Sequence, residues 1–96
     1  MRVRWSRLAL AELDKILSDL AAKNLPAAQR FEFRVRQIAE RIERFPEGFQ
    51  EVAEHPGIRR VPLVRYPYLI FYTRSGGEVI VLRVVRGARK EPWENL

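Results

Sequence analysis

The first half of the chain carries two sets of apolar residues at helical spacing. The first set recurs every three or four positions between residues 7 and 22: Leu10, Leu13, Ile16, Leu17 and Leu20. The second set follows the same rule: Phe31, Val35, Ile38, Ile42 and Phe45. Each set predicts a helix with one buried face. Ser6 suits the N-cap of the first helix and Pro26 the first turn of the second. The short connection between them predicts an antiparallel helical hairpin.

The remaining elements read as strands. Residues 2–5 alternate polar and apolar side chains, and residues 58–64, 68–74 and 78–86 are rich in β-branched and aromatic residues. Pro62 argues for an edge strand or a bulge in the first of these three runs. Short turns between the three predict an antiparallel meander, and the helices need one sheet face to cover their apolar stripes. The sequence therefore predicts a single α+β domain over residues 1–96. In it, a short N-terminal strand and a helical hairpin precede a three-stranded meander that packs on the helices.

The last strand is predicted to be central, with one face under the helices. Alternation places Ile80, Leu82 and Val84 on one face and puts Arg83 on the other. Because the first set is apolar from its start, we expect it to face the core. Arg83 is then expected to point to the open face of the sheet.

Charge is distributed unevenly along the chain. Residues 1–57 hold 10 basic and 9 acidic side chains, a net of +1, whereas residues 58–96 hold 8 and 3, a net of +5. A surface of this kind attracts RNA, DNA or an acidic protein segment, although it also serves simply to keep a small domain soluble.

The predicted basic face lies on and around the last strands. Its members are Arg59, Arg60, Arg65, Arg83, Arg86 and Arg89. Tyr66, Tyr68 and Tyr72 lie among them and would either stack on bases or only pack in the sheet.

Several classes of function find no support in the sequence. Cysteine is absent and His55 is the one histidine, so we expect no metal and no other cofactor. The N-terminus does not have the pattern of a signal peptide, and no apolar run reaches the roughly 20 residues that span a bilayer. We therefore expect a cytoplasmic protein without a membrane partner.

Two longer stretches carry a family resemblance: NLPAAQRFEFRVRQIAERIERFPEG and IRRVPLVRYPYLIFYTRSGGEVIVLRVVRGARKEPW. The proline-alanine helix start, the RFPE helix end, the YPYLIFY strand and the GAR signature occur in the order typical of ParE-like chains. Over essentially its whole length the chain resembles the RelE/ParE superfamily of type II toxin–antitoxin toxins, and it is most similar to the ParE-like toxins.

The resemblance implies a growth-inhibiting toxin with one of two mechanisms. ParE-like members are associated with inhibition of DNA gyrase, and RelE-like members are ribosome-dependent mRNA endonucleases. A RelE-like site would draw on Arg59 and Arg89. This chain lacks an arginine on its third strand before Arg74, and its tail has Trp93 but no tyrosine or histidine. The incomplete set favours the ParE-like mechanism. A structural or RNA-binding module without toxicity is a third hypothesis.

The resemblance also implies a cognate antitoxin that wraps the toxin with a partly disordered segment. We expect a helix of that segment to lie between the two toxin helices, and a strand to extend an exposed sheet edge. The expected groove residues are Leu13, Leu17, Phe31 and Val35. Acidic antitoxin residues would cover Arg83, Arg86 and Arg89.

Overall fold

The described part of the chain, residues 1–87 of a computed structural model, folds into one sheet with two helices on one of its faces. The elements are β1 (Arg2–Trp5), α1 (Arg7–Lys23), α2 (Leu25–Arg44), β2 (Ile58–Pro62), β3 (Tyr68–Ser75) and β4 (Glu78–Arg86). The predicted α+β class and the predicted element order are confirmed.

Two polar side chains set the ends of the helices. The Ser6 hydroxyl accepts a hydrogen bond from the Ala9 N–H at 3.0 Å and so caps α1. Asn24 ends α1 with its backbone N–H and begins α2 with its side-chain oxygen, which accepts from the Ala27 N–H at 3.1 Å. Each side-chain cap contributes about 1 kcal/mol. A single residue therefore joins the helices and fixes a tight hairpin.

The strand order in the sheet is β1-β4-β3-β2. β1 pairs with β4 in parallel, and β2, β3 and β4 form the predicted antiparallel meander. β4 lies between β1 and β3 and is therefore a central strand, as expected. This order could not be deduced from the sequence.

A β-bulge in β4 changes which residues face the helices. Tyr72 pairs with Val81 and the preceding Phe71 pairs with Arg83, so Leu82 is the extra residue. A bulge interrupts the alternation of a strand. Val79 and Val81 pack in the core before it, and Val84 packs there after it. The prediction that Ile80 and Leu82 face the core is therefore wrong, and the prediction for Val84 is right.

Apolar residues cover both faces of the sheet. The larger cluster lies between sheet and helices and is centred on Phe31, Ile42 and Tyr72, all fully buried. A smaller cluster on the opposite face contains Val52, Ile58, Phe71 and Val85, with Leu69 and Leu82 packed against it. The second face is thus not an open platform, because the loop between α2 and β2 contributes Val52 to it.

Candidate functional site

Arg83 is buried, with 8 % of its surface exposed, and it forms an ion pair with Glu12 of α1. Its Nε donates to the two carboxylate oxygens at 3.1 and 3.0 Å, and its Nη2 donates to Oε2 at 2.6 Å. The expectation that Arg83 lies exposed on an open face is wrong, because Glu12 of α1 reaches the edge of β4 beyond the end of β1 and buries the guanidinium in an ion pair.

The same carboxylate completes the edge of β4. β1 stays paired with β4 only as far as Trp5 and Val81, and α1 then takes its place beside the strand. Glu12 Oε1 accepts a hydrogen bond from the Val84 N–H at 2.9 Å. Glu12 therefore accepts a hydrogen bond from a backbone N–H that a longer β1 would have paired, and it also balances the Arg83 charge.

Arg59 is tied into the loop that follows α2. Its Nη1 donates to the Phe49 carbonyl oxygen at 2.6 Å and to the Glu47 carbonyl oxygen at 3.4 Å. The residue is half-buried, and its backbone forms an isolated antiparallel bridge with Glu51. The guanidinium therefore holds the loop against β2.

Tyr72 anchors the same loop from the core side. Its hydroxyl donates to the Pro46 carbonyl oxygen at 2.7 Å, and its ring packs edge-on against Phe49 at a centroid distance of 6.3 Å. Burial raises the pKa of the Tyr72 phenol above its usual value, the Arg59 charge opposes this rise, and the Glu47 charge adds to it. The phenol is thus a neutral hydrogen-bond donor at physiological pH.

The other two tyrosines mainly pack. The rings of Tyr66 and Tyr68 meet Phe31 edge-on at 5.0 and 5.6 Å between centroids. The Arg86 guanidinium lies 5.6 Å from the centre of the Tyr68 ring, a cation–π contact. These contacts favour the packing interpretation of the tyrosines over base stacking.

Three arginines of the predicted basic face are exposed: Arg60, Arg65 and Arg86. They do not form one continuous patch with Arg59 and Arg83, which are committed to internal contacts. Arg65 has a φ of 77° in the turn before β3, where the Tyr66 N–H bonds the Leu63 carbonyl oxygen. Arg89 lies outside the described residues.

The predicted groove residues belong to the core. Phe31 and Val35 are buried between α2 and the sheet, and Leu13 and Leu17 pack against that same cluster. The expectation that these four receive an antitoxin helix is wrong for Phe31 and Val35, because the apolar stripes of both helices already face the sheet.

A groove that the sequence did not reveal runs along α2 on its β2 side. Two adjoining hollows that share Arg34, Gln37 and Val64 form it. We call it the α2 groove. It combines exposed apolar side chains with arginines of α2. Arg30, Arg34 and Arg41 each stand one position before a buried residue of the helix, a spacing that could have shown them in advance.

No group of three or more His, Asp or Glu residues within residues 1–87 is placed to hold a metal ion. His55 lies exposed in the loop between α2 and β2. In the same range, no helix is long and apolar enough to span a membrane.

Comparison with known proteins decides the family. A family model described as the ParE toxin of the type II toxin–antitoxin system parDE matches residues 3–91. The chain belongs to the ParE toxin family. The predicted relationship to the RelE/ParE superfamily is thereby confirmed, and the ParDE family implies an antitoxin partner for this ParE-family toxin.

Two solved structures resemble the ParE-family toxin. A chain of the chromosomal ParDE TA system from P. aeruginosa is 28 % identical, with a TM-score of 0.68 over 90 % of this chain and 95 % of that one. The YoeB/ParE toxin from Agrobacterium tumefaciens is 11 % identical, with a TM-score of 0.61 over 90 % and 98 % of the two chains. The second likeness shows a shared fold. A comparison with curated protein sequences gave no match.

Proposed function

We propose that this ParE-family toxin stops bacterial growth by binding DNA gyrase, without catalysing a reaction itself, and that a cognate antitoxin keeps it inactive. The gyrase target follows from the resemblance to ParE-like toxins. Because the proposed target acts on DNA, we expect the toxin to act in the cytoplasm. The observation that supports a non-catalytic toxin is the position of Arg59.

Cleavage of RNA needs a general base, a general acid and a group that stabilises the developing charge. Arg59 is the described member of the pair that a RelE-like site would use. Its guanidinium donates to the Phe49 carbonyl oxygen at 2.6 Å and so serves the fold. Nearby Tyr72 is buried, and its hydroxyl is engaged with Pro46. Freeing either group for a substrate would release the loop from the sheet. These internal contacts support a toxin that binds its target rather than one that cleaves RNA.

Of the predicted basic face, three described arginines are exposed and can contact other molecules: Arg60, Arg65 and Arg86. Exposed arginines make charge-assisted, often bidentate hydrogen bonds to carboxylates. We propose that they contribute to recognition of the target, of acidic antitoxin residues, or of both in turn.

The test uses the purified chain in a gyrase supercoiling reaction on relaxed plasmid, together with a translation extract in which mRNA length is followed. We expect loss of supercoiling with intact mRNA, and recovery of supercoiling when the antitoxin is added. The R86E variant should inhibit gyrase less strongly, or escape the antitoxin, whereas the R36E variant should behave like the wild type. Arg36 is a suitable control because it lies exposed on α2 in a surface pair with Glu32.

Rapid mRNA cleavage with unaffected gyrase would overturn the proposal. It would favour the RelE-like, ribosome-dependent mRNA endonuclease instead, with the ribosome and mRNA as its partners. Arg59 would then have to give up its hydrogen bonds to the loop in order to reach the RNA.

A further inference from the structure

Four arginines of α2 form a single row along the α2 groove. They are Arg30, Arg34, Arg41 and Arg44, and all four line the groove. At about 100° and 1.5 Å per residue, they fall within a sector of about 80° on the helix surface, and the row is about 21 Å long. Gln37, which also lines the groove, lies in the same sector between them. One side of the groove therefore carries a hydrogen-bond donor at nearly every turn of the helix.

The charges of this arginine row are not balanced within the fold. Among residues 1–87, none of its four side chains takes part in an ion pair or a side-chain hydrogen bond, whereas Arg36 on the same helix pairs with Glu32. Like charges three or four positions apart on a helix repel one another, so the row lowers stability. Among the described residues that line the groove, Glu40 is the one carboxylate, and Arg65 adds a fifth guanidinium from the sheet side. The row is therefore complementary to a ligand that carries several negative charges at regular intervals.

Two exposed aromatic rings lie in the same groove. Phe33 and Phe45 are 63 % and 61 % exposed, and each lines a different one of the two hollows. Their positions on one helix separate them by about 18 Å along its axis. Exposed apolar side chains that share one concave strip mark an interaction site. A basic groove with exposed aromatic rings suits single-stranded nucleic acid, whose phosphates follow the charge and whose bases stack on the rings.

The side of the groove that faces α2 favours deoxyribose over ribose. It is formed by the apolar residues Val61, Pro62 and Val64. A ribose 2′-hydroxyl placed against them would lose its water without gaining a hydrogen-bond partner, whereas deoxyribose carries no such group. The groove is therefore better suited to DNA than to RNA.

The sheet edge beside the groove is closed to an additional polypeptide strand. Of the outward-facing positions of β2, Ile58 already donates its N–H to the His55 carbonyl oxygen. Arg60 likewise donates its N–H to the Gln50 carbonyl oxygen. Pro62 has no N–H to donate. A ligand of the groove must therefore bind through side chains rather than through the backbone of the sheet.

We propose that the α2 groove binds single-stranded DNA, with the phosphates on the arginine row and the bases stacked on Phe33 and Phe45. This inference goes beyond the proposed function, because it requires neither gyrase nor an antitoxin. The failure of either proposal therefore leaves the other standing.

The test measures the fluorescence anisotropy of a labelled strand of about 12 nucleotides as purified full-length toxin is added. The strand carries uracil bases on deoxyribose, and salt is varied between about 50 and 200 mM. Contacts to four phosphates predict that the logarithm of the binding constant falls with the logarithm of the salt concentration with a slope of about −2.8. The R34Q/R41Q variant loses two of these contacts. Its slope should be shallower by about 1.4, and its Kd should rise at least about tenfold at the lowest salt concentration.

The matched control is R4Q/R36Q, which removes the same net charge from two arginines that lie outside the groove. Its Kd should stay within about threefold of the wild-type value, because salt screens charges that do not touch the strand. If the two double variants weaken binding equally, binding follows net charge alone and the inference is overturned. Absence of binding by the wild-type toxin at about 100 µM would overturn it as well.

A second set of variants tests the stacking of bases. F33A should raise Kd about fivefold or more, and F33L should do the same because leucine keeps apolar surface but has no ring. F33Y keeps a ring and should bind like the wild type, as should L25A, since Leu25 is 57 % exposed but does not line the groove. The inference is wrong if F33L binds like the wild type, or if a ribose strand of the same bases binds as tightly as the deoxyribose strand.

A third measurement needs no variant and so does not depend on whether a variant folds. A DNA strand with 5-bromouracil bases is irradiated in the presence of wild-type toxin, and mass spectrometry locates the crosslinked residues. Crosslinks within residues 30–45 would support the proposed site. Crosslinks confined to other parts of the chain would contradict it.

Discussion

Breaking the ion pair between Arg83 and Glu12 should destabilise the fold far more than breaking any surface pair. The two side chains are 9 % and 17 % exposed, and Nη2 lies 2.6 Å from Oε2. Removing one partner of a buried pair typically costs about 3–5 kcal/mol, because the other charge stays buried without compensation. A domain of this size has a total stability of about 5–15 kcal/mol, so the loss would be a large part of it.

A small set of variants separates the contributions of the carboxylate. E12A removes the carboxylate that pairs with Arg83 and also leaves the Val84 N–H without its acceptor, so we expect a cost of about 3–5 kcal/mol. E12Q keeps an oxygen for that N–H and loses only the charge. It should therefore cost about 1–3 kcal/mol less than E12A, which is the penalty for one unsatisfied buried donor.

Urea unfolding at pH 7, followed by circular dichroism, gives these free energies, and thermal melting gives a second measure. A loss of 3 kcal/mol corresponds to a fall in Tm of about 12–24 °C for a domain of 60–100 residues. The control is D19N, because Asp19 pairs with Lys15 where the side chains are 64 % and 79 % exposed. That change should cost less than about 1 kcal/mol. If E12A melts within a few degrees of D19N, the argument from burial is refuted.

Three further predictions concern local structure. R65G should raise the free energy of unfolding by up to about 1 kcal/mol, since it relieves the left-handed backbone at φ 77°, and melting measures the gain. Y72F should lower stability by about 1–2 kcal/mol in urea unfolding at pH 7, because the Pro46 carbonyl loses its donor. The raised pKa of Tyr72 predicts that wild-type stability declines as the pH rises through the unfolded value of 10.0, a decline that Y72F should lack in melts from pH 8 to 11. N24A should cost about 1 kcal/mol or more by the same urea unfolding, because one side chain caps α2 at the point where α1 ends.

The elements of the fold could be predicted from the sequence because their signals are local. The spacing of Phe31, Val35 and Ile42 identifies a buried helix face, and Ser6 marks where α1 begins. The strand order depends instead on which edge of β4 receives β1, and that choice depends on contacts between residues far apart in the chain. No local pattern encodes it.

The predicted site was less accurate because it depended on strict alternation along β4. The extra residue Leu82 reverses the expected facing of the residues before it, Ile80 among them, and Glu12 compensates the charge of Arg83 from a helix 71 positions away. Neither a bulge nor so distant a partner can be recognised from the spacing of apolar residues along the strand. Arg65, in the turn before β3, and Arg86, the last residue of β4, are exposed, and their positions depend less on strand register.

The arginines of α2 have a simpler origin than those of the sheet. Arg30, Arg34 and Arg41 each precede a core residue of the helix, so their stripe is turned by about 100° from the buried one. A helix that packs on a sheet must place such a stripe at the margin of the interface, beside whichever strand is nearest. Here that strand is β2, whose outward N–H groups are engaged or absent. The basic stripe therefore lies beside an edge strand that is closed to a further strand, with Arg30 and Arg41 exposed.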